Sequence, residues 1–373
     1  MTSALVINSG SSSIKYQLID IHNEQELLGG AIERVTDHVS ALADLLQELR
    51  SEERFREPDV IGHRVVHGGE KFSKPVVITP EVLAEIESLI PLAPLHNPGN
   101  LAGIRACLES FPSTPQVAVF DTAFHQTIPA TSYRFAIESN LAKKHGLRKY
   151  GFHGTSFSYV TKKTAEFLSK DLDDTNLIIL HIGNGASACA VRDGKSFDTS
   201  MGLSPLPGLV MGTRSGDIDP TVVFYLNREA GMSVDEIDQL LNKESGLKGM
   251  TGSADMRDVL EKCKTDSQAR VALEVYVQRI RFYLGGYHAL LGDLDAVVLT
   301  AGVGEHSVDF RHLLFESNPL GIELDANLNS QSNNGPRVIS RESSSIPVLV
   351  VPTNEELEIA KESFLGSKSR LKG

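Results

Sequence analysis

The sequence predicts an α/β protein made of two similar halves, and three observations support this prediction. Strand-like apolar runs alternate with segments whose apolar residues recur at helical spacing. An apolar strand followed by a turn of small residues occurs at 5–20 and again at 177–190, roughly one domain length apart. The chain has 373 residues, which is enough for two domains with sizeable cores.

The first half is expected to begin with two strands, because apolar runs flank a turn of only serine and glycine at 9–13. Thr79 followed by Pro80 is typical of a helix start, since proline is tolerated in the first turn. We also predict an edge strand at 27–32, a helix at 39–49, a surface loop at 50–58, a buried strand at 60–66, a helix at 80–90, an irregular segment at 91–99, a helix at 100–108 and a buried strand at 116–120.

The second half follows a segment of mixed pattern at 122–150, which could bridge the two halves. The segment 200–220 has little sign of regular structure, and loops of this length in compact domains are usually functional or disordered. Ser233 followed by Glu236 predicts a capping box. The remaining predicted elements are helices at 156–168, 221–230, 233–241, 267–291 and 354–365, a hairpin at 177–191, and strands at 296–299 and 348–351.

The composition argues against several classes of protein. The net charge of −12 argues against a general nucleic-acid binder, which would normally be basic. The three cysteines form no CxxC pair, so neither a disulfide framework nor a zinc site is indicated. No apolar run approaches the length of a membrane span, and the N-terminus has no basic region followed by an apolar one. We therefore expect a cytoplasmic protein that binds neither nucleic acid nor membrane.

The two small-residue turns are candidate phosphate sites. In the first, at 9–13, small side chains would let backbone N–H groups approach an anion, and Lys15 would add a positive charge. The second, Gly183-Asn184-Gly185, has residues that tolerate a positive φ and is typical of a tight hairpin. Either could instead be an ordinary hairpin whose side chains cap their own turn, and neither matches the P-loop pattern.

Three ionisable residues stand at unusual positions. Arg64 lies inside an apolar strand flanked by glycines, so it either faces a cleft or forms a structural ion pair. Asp121 ends a buried strand, the usual place for site residues in open α/β sheets, although a turn or capping role would also explain it. His153 lies between glycines just before a helix, where it either helps bind an anion or has no functional role.

Three further segments contain candidate functional residues, but the sequence supports them less strongly. Arg214 lies in a glycine-flanked loop, where an arginine is most often just solvated. Gly302 and Gly304 follow a buried strand and would permit close approach of a nucleotide, but a lone Gly-x-Gly is weak. Glu355 opens the last helix and could supply a carboxylate to a metal or simply interact with the helix dipole. As an inventory, these groups suit phosphoryl transfer, in which catalysis is mostly positioning and neutralisation of charge.

Nine stretches, spread over nearly the whole chain, form a specific set: LVINSGSSSIKYQL, GHRVVHGG, PLAPLHNPGN, FDTAFHQT, YGFHGTSF, HIGNGAS, DTSMGLSPLPGLVMGTRSGDIDP, TAGVGEHS and VPTNEELEIA. As a set they resemble the acetokinase family, which is similar in fold to the sugar kinases, actin and the heat-shock chaperone ATPases. The resemblance implies two ribonuclease-H-like domains with a central cleft. It implies an N-terminal domain at 1–122 and 356–373 and a C-terminal, nucleotide-binding domain at 123–355.

The resemblance implies a kinase that reversibly transfers a phosphoryl group from ATP to acetate, in line, giving acetyl phosphate and ADP. It also implies Mg²⁺ or Mn²⁺ as the metal and a homodimer as the assembly. Acetate is already ionised at neutral pH, so no general base is needed, and the obstacle is repulsion between a carboxylate and a triphosphate. Positive groups from both halves would offset this repulsion, so we expect the domains to close on ATP.

The resemblance also implies a role for each matching position. Catalysis would fall to Arg64, Asp121, His153 and Arg214, with the two arginines clamping the carboxylate and the transferring phosphoryl group. Asp121 would act through the metal and its waters or by orienting an arginine. Asn8 and Glu355 would help bind the metal, and Ser11, Ser13 and Lys15 would face the phosphates. The nucleotide would be held by His181, Ile182, Gly183, Asn184, Gly185, Asp255, Met256, Arg257, Gly302, Val303, Gly304, Glu305 and His306. Acetate would be bound by Arg64, Val66, Leu95 and Pro205.

The sequence departs from the family pattern at three residues. Phe157 stands where histidine is usual, His306 where asparagine is usual and Pro207 where glutamate is usual. None of these removes a charged group from the proposed reaction centre, although His306 could alter contacts to the nucleotide. Family members also have a longer segment near 40–58, so this chain looks shortened there.

Two alternatives stay open at this point. The first is a propionate or butyrate kinase, because a residue smaller than Val66 would open the pocket by about one methyl group, worth roughly 1 kcal/mol. The second is a non-catalytic, ATP-dependent switch like the chaperone relatives. A switch would hydrolyse ATP slowly and form no acyl phosphate.

Overall fold

The computed structural model describes residues 2–10, 13–33, 35, 37–53 and 55–369. The chain divides into two compact units. Unit 1 comprises Met1–Gln126, Phe152–Tyr159 and Asn354–Gly373, and unit 2 comprises Thr127–Gly151 and Val160–Thr353. Each unit contains a six-stranded sheet.

The elements of the described residues are named here in chain order. The strands are β1 (Ser3–Ser9), β2 (Ser13–Asp20), β3 (Gln25–Glu33), β4 (Val60–Val65), β5 (Val76–Val77), β6 (Gln116–Phe120), β7 (Leu177–Ile182), β8 (Ala186–Arg192), β9 (Lys195–Thr199), β10 (Ala296–Thr300), β11 (Arg337–Val338) and β12 (Val348–Val350). The α-helices are α1 (His38–Ser51), α2 (Pro80–Ser88), α3 (Asn97–Ser110), α4 (Ala130–Tyr133), α5 (Ser139–His145), α6 (Gly154–Leu168), α7 (Thr221–Glu229), α8 (Val234–Lys243), α9 (Gly246–Thr251), α10 (Met256–Lys262), α11 (Ser267–Leu291), α12 (Ala301–His306), α13 (Val308–Phe315), α14 (Ala326–Ser330) and α15 (Glu355–Ser369).

The two sheets have the same topology. The strand order is β3-β2-β1-β4-β6-β5 in unit 1 and β9-β8-β7-β10-β12-β11 in unit 2. In each, three consecutive antiparallel strands are followed by two strands parallel to the first, and a short antiparallel strand closes the far edge. This repetition confirms the predicted α/β class with two similar halves, and it agrees with the ribonuclease-H-like domains that the resemblance implied.

The sheet of unit 1 is covered by helices on both faces. Leu42 and Leu46 of α1 pack with Leu5 and Ile7 of β1 in one cluster, to which α3 also contributes. On the other face, Ile359 and its neighbours in α15 pack against β1, β4 and β6. Because both faces are buried, the central strands read as continuous apolar runs rather than as alternating patterns.

The sheet of unit 2 is buried in the same way. All residues of β7, β10 and β12 are buried, and the long helix α11 packs on β7 and β8. The short helix α12 follows β10 directly and packs on β7 and β10. Among the described residues, no helix combines the length and the apolar character that crossing a bilayer requires.

Several predicted bounds differ from the structure. The segment 91–99 is only partly irregular, because α3 begins at Asn97 with Pro98 in its first turn. There proline costs no hydrogen bond, since the first N–H groups of a helix have no partner within it. The sequence analysis did not identify β5, β9, β11, α4, α5, α9, α10 or α12 to α14, most of which are too short to show a clear period.

Candidate active site

The strand ends of unit 1 bring together three of the predicted site residues. In the sheet, β1, β4 and β6 are parallel neighbours, so their carboxyl ends meet at one edge. Asn8 lies near the end of β1, Arg64 near the end of β4, and Asp121 directly after β6. The backbone N–H of Asp121 donates to the carbonyl of Val65 at 3.0 Å, which extends the pairing beyond β6.

The Arg64 guanidinium is fixed by hydrogen bonds on two sides. Its Nε donates to Asp121 Oδ1 at 2.9 Å and its Nη2 donates to Asp121 Oδ2 at 2.6 Å. On the other side, Nη1 donates to Asn8 Oδ1 at 3.2 Å. The bidentate geometry holds the guanidinium plane in one orientation. We call Asn8, Arg64 and Asp121, together with Glu355, the Arg64 cluster.

Burial and charge act in opposite directions in this cluster. Burial raises the pKa of Asp121, and the neighbouring Arg64 guanidinium opposes that rise. Burial also disfavours the charge on Arg64, but the carboxylates of Asp121 and Glu355 more than compensate and raise the pKa of Arg64 above its ordinary value. Arg64 therefore stays cationic, and the side chain keeps 22% of its surface exposed.

Glu355 joins the cluster from the first residue of α15. Its carboxylate Oε2 accepts a hydrogen bond from Thr155 Oγ1 at 3.2 Å. Thr155 lies in the first turn of α6, so two helix starts meet next to the strand ends. The cluster thus contains one guanidinium and two carboxylates.

His153 precedes α6 in a strained backbone conformation. Its φ is 59°, in the left-handed region that residues with a side chain rarely adopt. The next residue, Gly154, donates its N–H to the Asp121 carbonyl at 2.9 Å. A Cβ at Gly154 would lie 2.1 Å from that oxygen, so only glycine permits this approach. The start of α6 is therefore held tightly against Asp121.

Two buried asparagines, whose role the sequence analysis missed, hold the end of β4. Asn100 Nδ2 donates to the Ser9 carbonyl at 2.6 Å, and its Oδ1 accepts from the Val66 N–H at 3.1 Å. Asn97 bonds both backbone groups of His67 in the same manner. Asn100 thus ties the turn after β1 to the strand that carries Arg64. Both residues lie within the stretch PLAPLHNPGN. Two asparagines close together at a helix start are the sequence feature that could have indicated this role.

The first small-residue turn is described in part. The Gly10 N–H donates to the Ser13 carbonyl at 2.8 Å, as in a tight hairpin. Ser13 is half-buried and Lys15 is exposed. Lys15 lies opposite Asn8 in the β1–β2 register, so both side chains lie on the same face of the sheet. Ser11 lies outside the described residues.

The predicted acetate residues differ in exposure. Val66 is 8% exposed and follows β4 two residues after Arg64, whereas Leu95 is 50% exposed. Both belong to unit 1, and Pro205, which is half-buried, belongs to unit 2. Their grouping into one pocket stays a prediction.

Unit 2 contains a large cleft with a volume of about 1750 Å³. It is lined by segments that the resemblance assigned to the nucleotide, and the assigned residues along it are Gly183, Asn184, Asp255, Met256, Arg257, Gly302, Val303 and His306. The other assigned residues are not among its lining residues: His181, Ile182, Gly185, Gly304 and Glu305. Ile182 is fully buried, so its side chain is a core group.

The second small-residue turn forms the predicted hairpin, but for a different reason. The Gly183 N–H donates to the Gly185 carbonyl at 3.1 Å between β7 and β8. None of Gly183, Asn184 and Gly185 has a positive φ, so the expectation based on that conformation is wrong. Close approach explains the small residues better. A Cβ at Gly183 would lie 3.2 Å from the Gly185 carbonyl oxygen, and a Cβ at the neighbouring Gly212 would lie 2.0 Å from Asn184 Oδ1.

Glu305 does not line the cleft but holds the segment beside it in place. Its Oε1 accepts from the N–H groups of Ala301 at 2.7 Å and Thr353 at 3.1 Å. These bonds close the first turn of α12, where Ala301 has a φ of 64°. Arg311, which the sequence analysis missed, donates to the carbonyls of Gly304 at 3.0 Å and Glu305 at 2.8 Å. A fully buried arginine thus holds the other end of α12, and burial lowers the pKa of Arg311 to about 10.

Asp255 and Arg257 pair with each other at the start of α10. The Asp255 carboxylate accepts from the Arg257 backbone N–H at 2.8 Å, which caps the helix. It also accepts two hydrogen bonds from the Arg257 side chain, and these bonds lower the pKa of Asp255 to about 2.

Arg214 lies in the long irregular segment of unit 2 and is half-buried. Burial lowers the pKa of Arg214. Its guanidinium donates to Met211 Sδ at 3.8 Å, and within the described part of the chain no carboxylate pairs with it. Arg214 is therefore a partly desolvated cation that, unlike Arg64, has no counter-charge among the residues that the structure describes.

The three departures from the family pattern occupy distinct positions. Phe157 is fully buried, and its ring meets the His125 ring edge-on at 5.6 Å, so it is a packing residue. His306 is exposed at the edge of the cleft. Pro207 is half-buried, and its ring lies 2.9 Å from where a Cβ at Gly202 would be. None of the three belongs to the Arg64 cluster.

Comparison with known proteins gives a consistent result. A model of the acetokinase family matches residues 31–361. An acetate kinase from Leifsonia xyli subsp. xyli is 50% identical over 391 aligned positions, covering 98% of this chain and 98% of that protein. An acetate kinase from an Arthrobacter species is 50% identical, covering 96% of this chain and 97% of that protein. The first alignment has more positions than this chain has residues, so that relative carries residues that this chain lacks.

Solved structures give the same result. The crystal structure of an acetate kinase from Porphyromonas gingivalis matches with a TM-score of 0.92 and 40% identity, covering 98% of this chain and 100% of that chain. That of a propionate kinase from Francisella tularensis matches with a TM-score of 0.90 and 42% identity, with the same coverage.

Proposed function

Because the chain belongs to the acetokinase family, we propose that it is a kinase that reversibly transfers the γ-phosphoryl group of ATP to acetate, giving acetyl phosphate and ADP. Acetate kinases at 50% identity over nearly the whole chain support this activity. The observation that carries the proposal is the Arg64 cluster, in which Asp121 and Asn8 hold one guanidinium at the carboxyl edge of the sheet.

The chemistry requires neutralisation of charge rather than removal of a proton. Acetate is ionised at neutral pH, so its oxygen can attack phosphorus without a general base. Two anionic reactants repel each other, and fixed cations in a site with little water offset that repulsion by about a few kcal/mol each. Arg64 is cationic and pre-oriented, which is the state that such a role requires.

The roles divide between the two units. In unit 1, Arg64 would bind acetate, Asp121 would orient Arg64, and Lys15 would face the phosphates. His153 would stabilise the developing charge, and its strained backbone is typical of a functional residue. In unit 2, Arg214 would neutralise the transferring group, because no carboxylate in the described ranges already neutralises it.

The nucleotide would occupy the cleft of unit 2. Gly183, Asn184, Gly302 and His306 would approach ATP, and Asp255 and Arg257 line the same cleft. Glu305 and Arg311 would act indirectly by holding α12 in place.

A divalent ion, Mg²⁺ or Mn²⁺, is part of the proposal. Asn8 and Glu355 offer amide and carboxylate oxygens, the donors that Mg²⁺ prefers, and Mg²⁺ usually combines one or two carboxylates with phosphates and waters. The ranges that the structure describes contain no group of three His, Cys, Asp or Glu side chains arranged as metal ligands. When bound, the ion would neutralise phosphate charge.

Propionate is the alternative substrate, because a propionate kinase is also a close structural match. Val66 bears on the choice, since it is nearly buried and lies two residues after Arg64. One additional methylene in an apolar pocket changes binding by roughly 1–3 kcal/mol, so acetate and propionate should differ measurably in kcat/KM.

The purified chain, incubated with ATP, MgCl₂, acetate and hydroxylamine, should form acetyl hydroxamate at a rate that depends on acetate. The same assay with propionate gives the ratio of kcat/KM for the two acids. A higher kcat/KM for propionate would identify a propionate kinase. Slow release of ADP without hydroxamate would identify an ATP-dependent switch and contradict the proposed activity.

Assembly, location and domain roles complete the proposal. We propose a cytoplasmic homodimer, and several large apolar side chains exposed on unit 2 support the assembly: Phe224, Tyr225 and Phe282. We also propose that residues 1–122 with 356–373 serve as one functional domain and 123–355 as the nucleotide-binding domain.

A further inference from the structure

The loop that carries Arg214 closes on itself at its base. We call residues 208–217 the Arg214 loop. The Asp217 N–H donates to the Gly208 carbonyl at 3.0 Å, and the Gly208 N–H donates to Asp217 Oδ1 at 2.8 Å. Gly208 has a φ of 101°, and a Cβ there would lie 2.6 Å from the Ser200 carbonyl oxygen. The two ends of the loop are therefore joined tightly, with Arg214 between them.

The second oxygen of the same carboxylate ties the loop to a helix. Asp217 Oδ2 accepts a hydrogen bond from the Tyr283 hydroxyl at 2.7 Å. Arg279, one turn earlier on α11, places its Nη1 3.6 Å from the same oxygen. The hydroxyl of Tyr283 is thus the donor that links the base of the loop to the middle of α11. We call Asp217 and Tyr283 the loop latch.

Arg214 needs such support because no carboxylate of the described residues neutralises its charge. Burial disfavours its charge, and its guanidinium has only Met211 Sδ as a hydrogen-bond acceptor among the described residues. A flexible arginine in this situation would turn toward water. Backbone bonds hold the tip, since the Met211 N–H donates to the Arg214 carbonyl at 3.2 Å and the Ser215 N–H donates to the Leu241 carbonyl at 3.0 Å. The latch holds the base.

We propose that Asp217 and Tyr283 are positioning residues that keep Arg214 directed at an anionic reactant. The inference rests on the proposed function, because it takes the reactant to be the transferring phosphoryl group or the carboxylate. Neither residue touches the reactants. Loss of the Tyr283 hydroxyl frees the base of the loop from α11, and Arg214 then exchanges its desolvated position for a solvated one.

The chain offers a matched control one turn further along the same helix. Tyr287 is buried, and its hydroxyl has no hydrogen-bond partner in the described part of the chain. Tyr283→Phe and Tyr287→Phe therefore remove the same atom from the same helix, but only the first breaks the latch. Asp217→Asn is a second test, because it keeps an oxygen for the Gly208 N–H and removes the charge.

The test measures kcat, KM for acetate and KM for ATP in the hydroxamate assay, and hydrogen exchange along the chain. In Tyr283→Phe and Asp217→Asn, we expect kcat to fall roughly tenfold, because small displacements of a positioned group have effects of this size. KM for ATP should change by less than about twofold, since Gly212 is the one residue of the Arg214 loop among the lining residues of the cleft and its N–H stays bonded to the Asn184 carbonyl. Exchange should accelerate in 208–217 and not in 177–192.

Tyr287→Phe should match the wild type in all of these measurements. Equal kcat and equal exchange in 208–217 for the wild type and Tyr283→Phe would overturn the proposed positioning role of the loop latch. A uniform rise of exchange along the whole chain would do so as well, because it indicates a general loss of stability. If the wild type itself forms no acetyl hydroxamate, the proposed function fails, and the exchange measurement still decides whether Tyr283 holds the loop.

Discussion

At the scale of the residue, Arg64 and Arg214 show two ways of keeping a cation out of water. Asp121 is a bidentate hydrogen-bond partner of Arg64, so the Arg64 guanidinium stays charged despite its partial burial. Arg214 has no carboxylate partner among the described residues, so burial lowers its pKa. The sequence left two interpretations of Arg64 open: a residue that faces a cleft, or a member of a structural ion pair. The ion pair is present, and 22% of the side-chain surface is still exposed to solvent.

We predict that Asp121→Asn lowers kcat about 100-fold, because the guanidinium of Arg64 loses its bidentate partner and its orientation. Breaking a buried ion pair should also destabilise the protein by roughly 3–5 kcal/mol. Steady-state kinetics at saturating Mg²⁺ and urea unfolding check the two effects.

The matched control is Asp295→Asn, which breaks the partly buried pair between Asp295 and Lys170 in unit 2. This variant should lose stability but keep its kcat. Near-normal turnover in Asp121→Asn, with normal dependence on Mg²⁺, would exclude an essential role for Asp121.

At the scale of the element, the site depends on where helices begin. α6 begins at Gly154 against the Asp121 carbonyl, α15 begins at Glu355, and α12 begins at Ala301 directly after β10. The direct connection from β10 to α12 places that helix start at the sheet edge, where N–H groups favour anions. The start of α6 is instead held at the end of β6 by the hydrogen bond from Gly154 to Asp121. The sequence predicted the first residues of α6 and α15 within two positions, but it did not predict α12, which has six residues and a strained first position.

We predict that Gly154→Ala destabilises the protein by about 1–3 kcal/mol and lowers kcat, because the new Cβ would lie 2.1 Å from the Asp121 oxygen and must displace it. Gly286→Ala is the control, since nothing lies within 4 Å of its Cβ and it is exposed within α11. That change should stabilise the helix by about 1 kcal/mol. Thermal unfolding and kinetics of both variants test this, and similar behaviour of the two would refute the close contact.

At the scale of the whole molecule, one topology occurs twice. Both sheets have three antiparallel strands followed by parallel ones, but the turns after the first strand lie in different surroundings. In unit 1 the turn adjoins the Arg64 cluster, and in unit 2 it lines the cleft. A repeated fold thus carries two different parts of one proposed reaction.

We predict that the chain is a dimer at micromolar concentration, with the apolar surface of α7 buried in the interface. Phe224→Glu should shift the mass measured by light scattering to that of a monomer, because a charge would replace a ring that is 59% exposed in the single chain. Leu365→Glu, at a side chain that is 64% exposed in unit 1, should leave the dimer intact. A monomeric wild type would contradict the proposed assembly.

The sequence by itself determined the order of the main strands and helices, both small-residue turns and local features such as the capping box of Ser233 and Glu236. These features arise from interactions within a few residues, so the local pattern is sufficient. Only the tertiary structure decided that Asn100 joins β1 to β4, that Arg311 supports α12, and that Tyr283 holds Asp217. In the first and last of these the partners are far apart in the chain, and even Arg311, near α12 in sequence, reaches its partners only by being buried. Only packing of the whole unit brings such groups within hydrogen-bond distance.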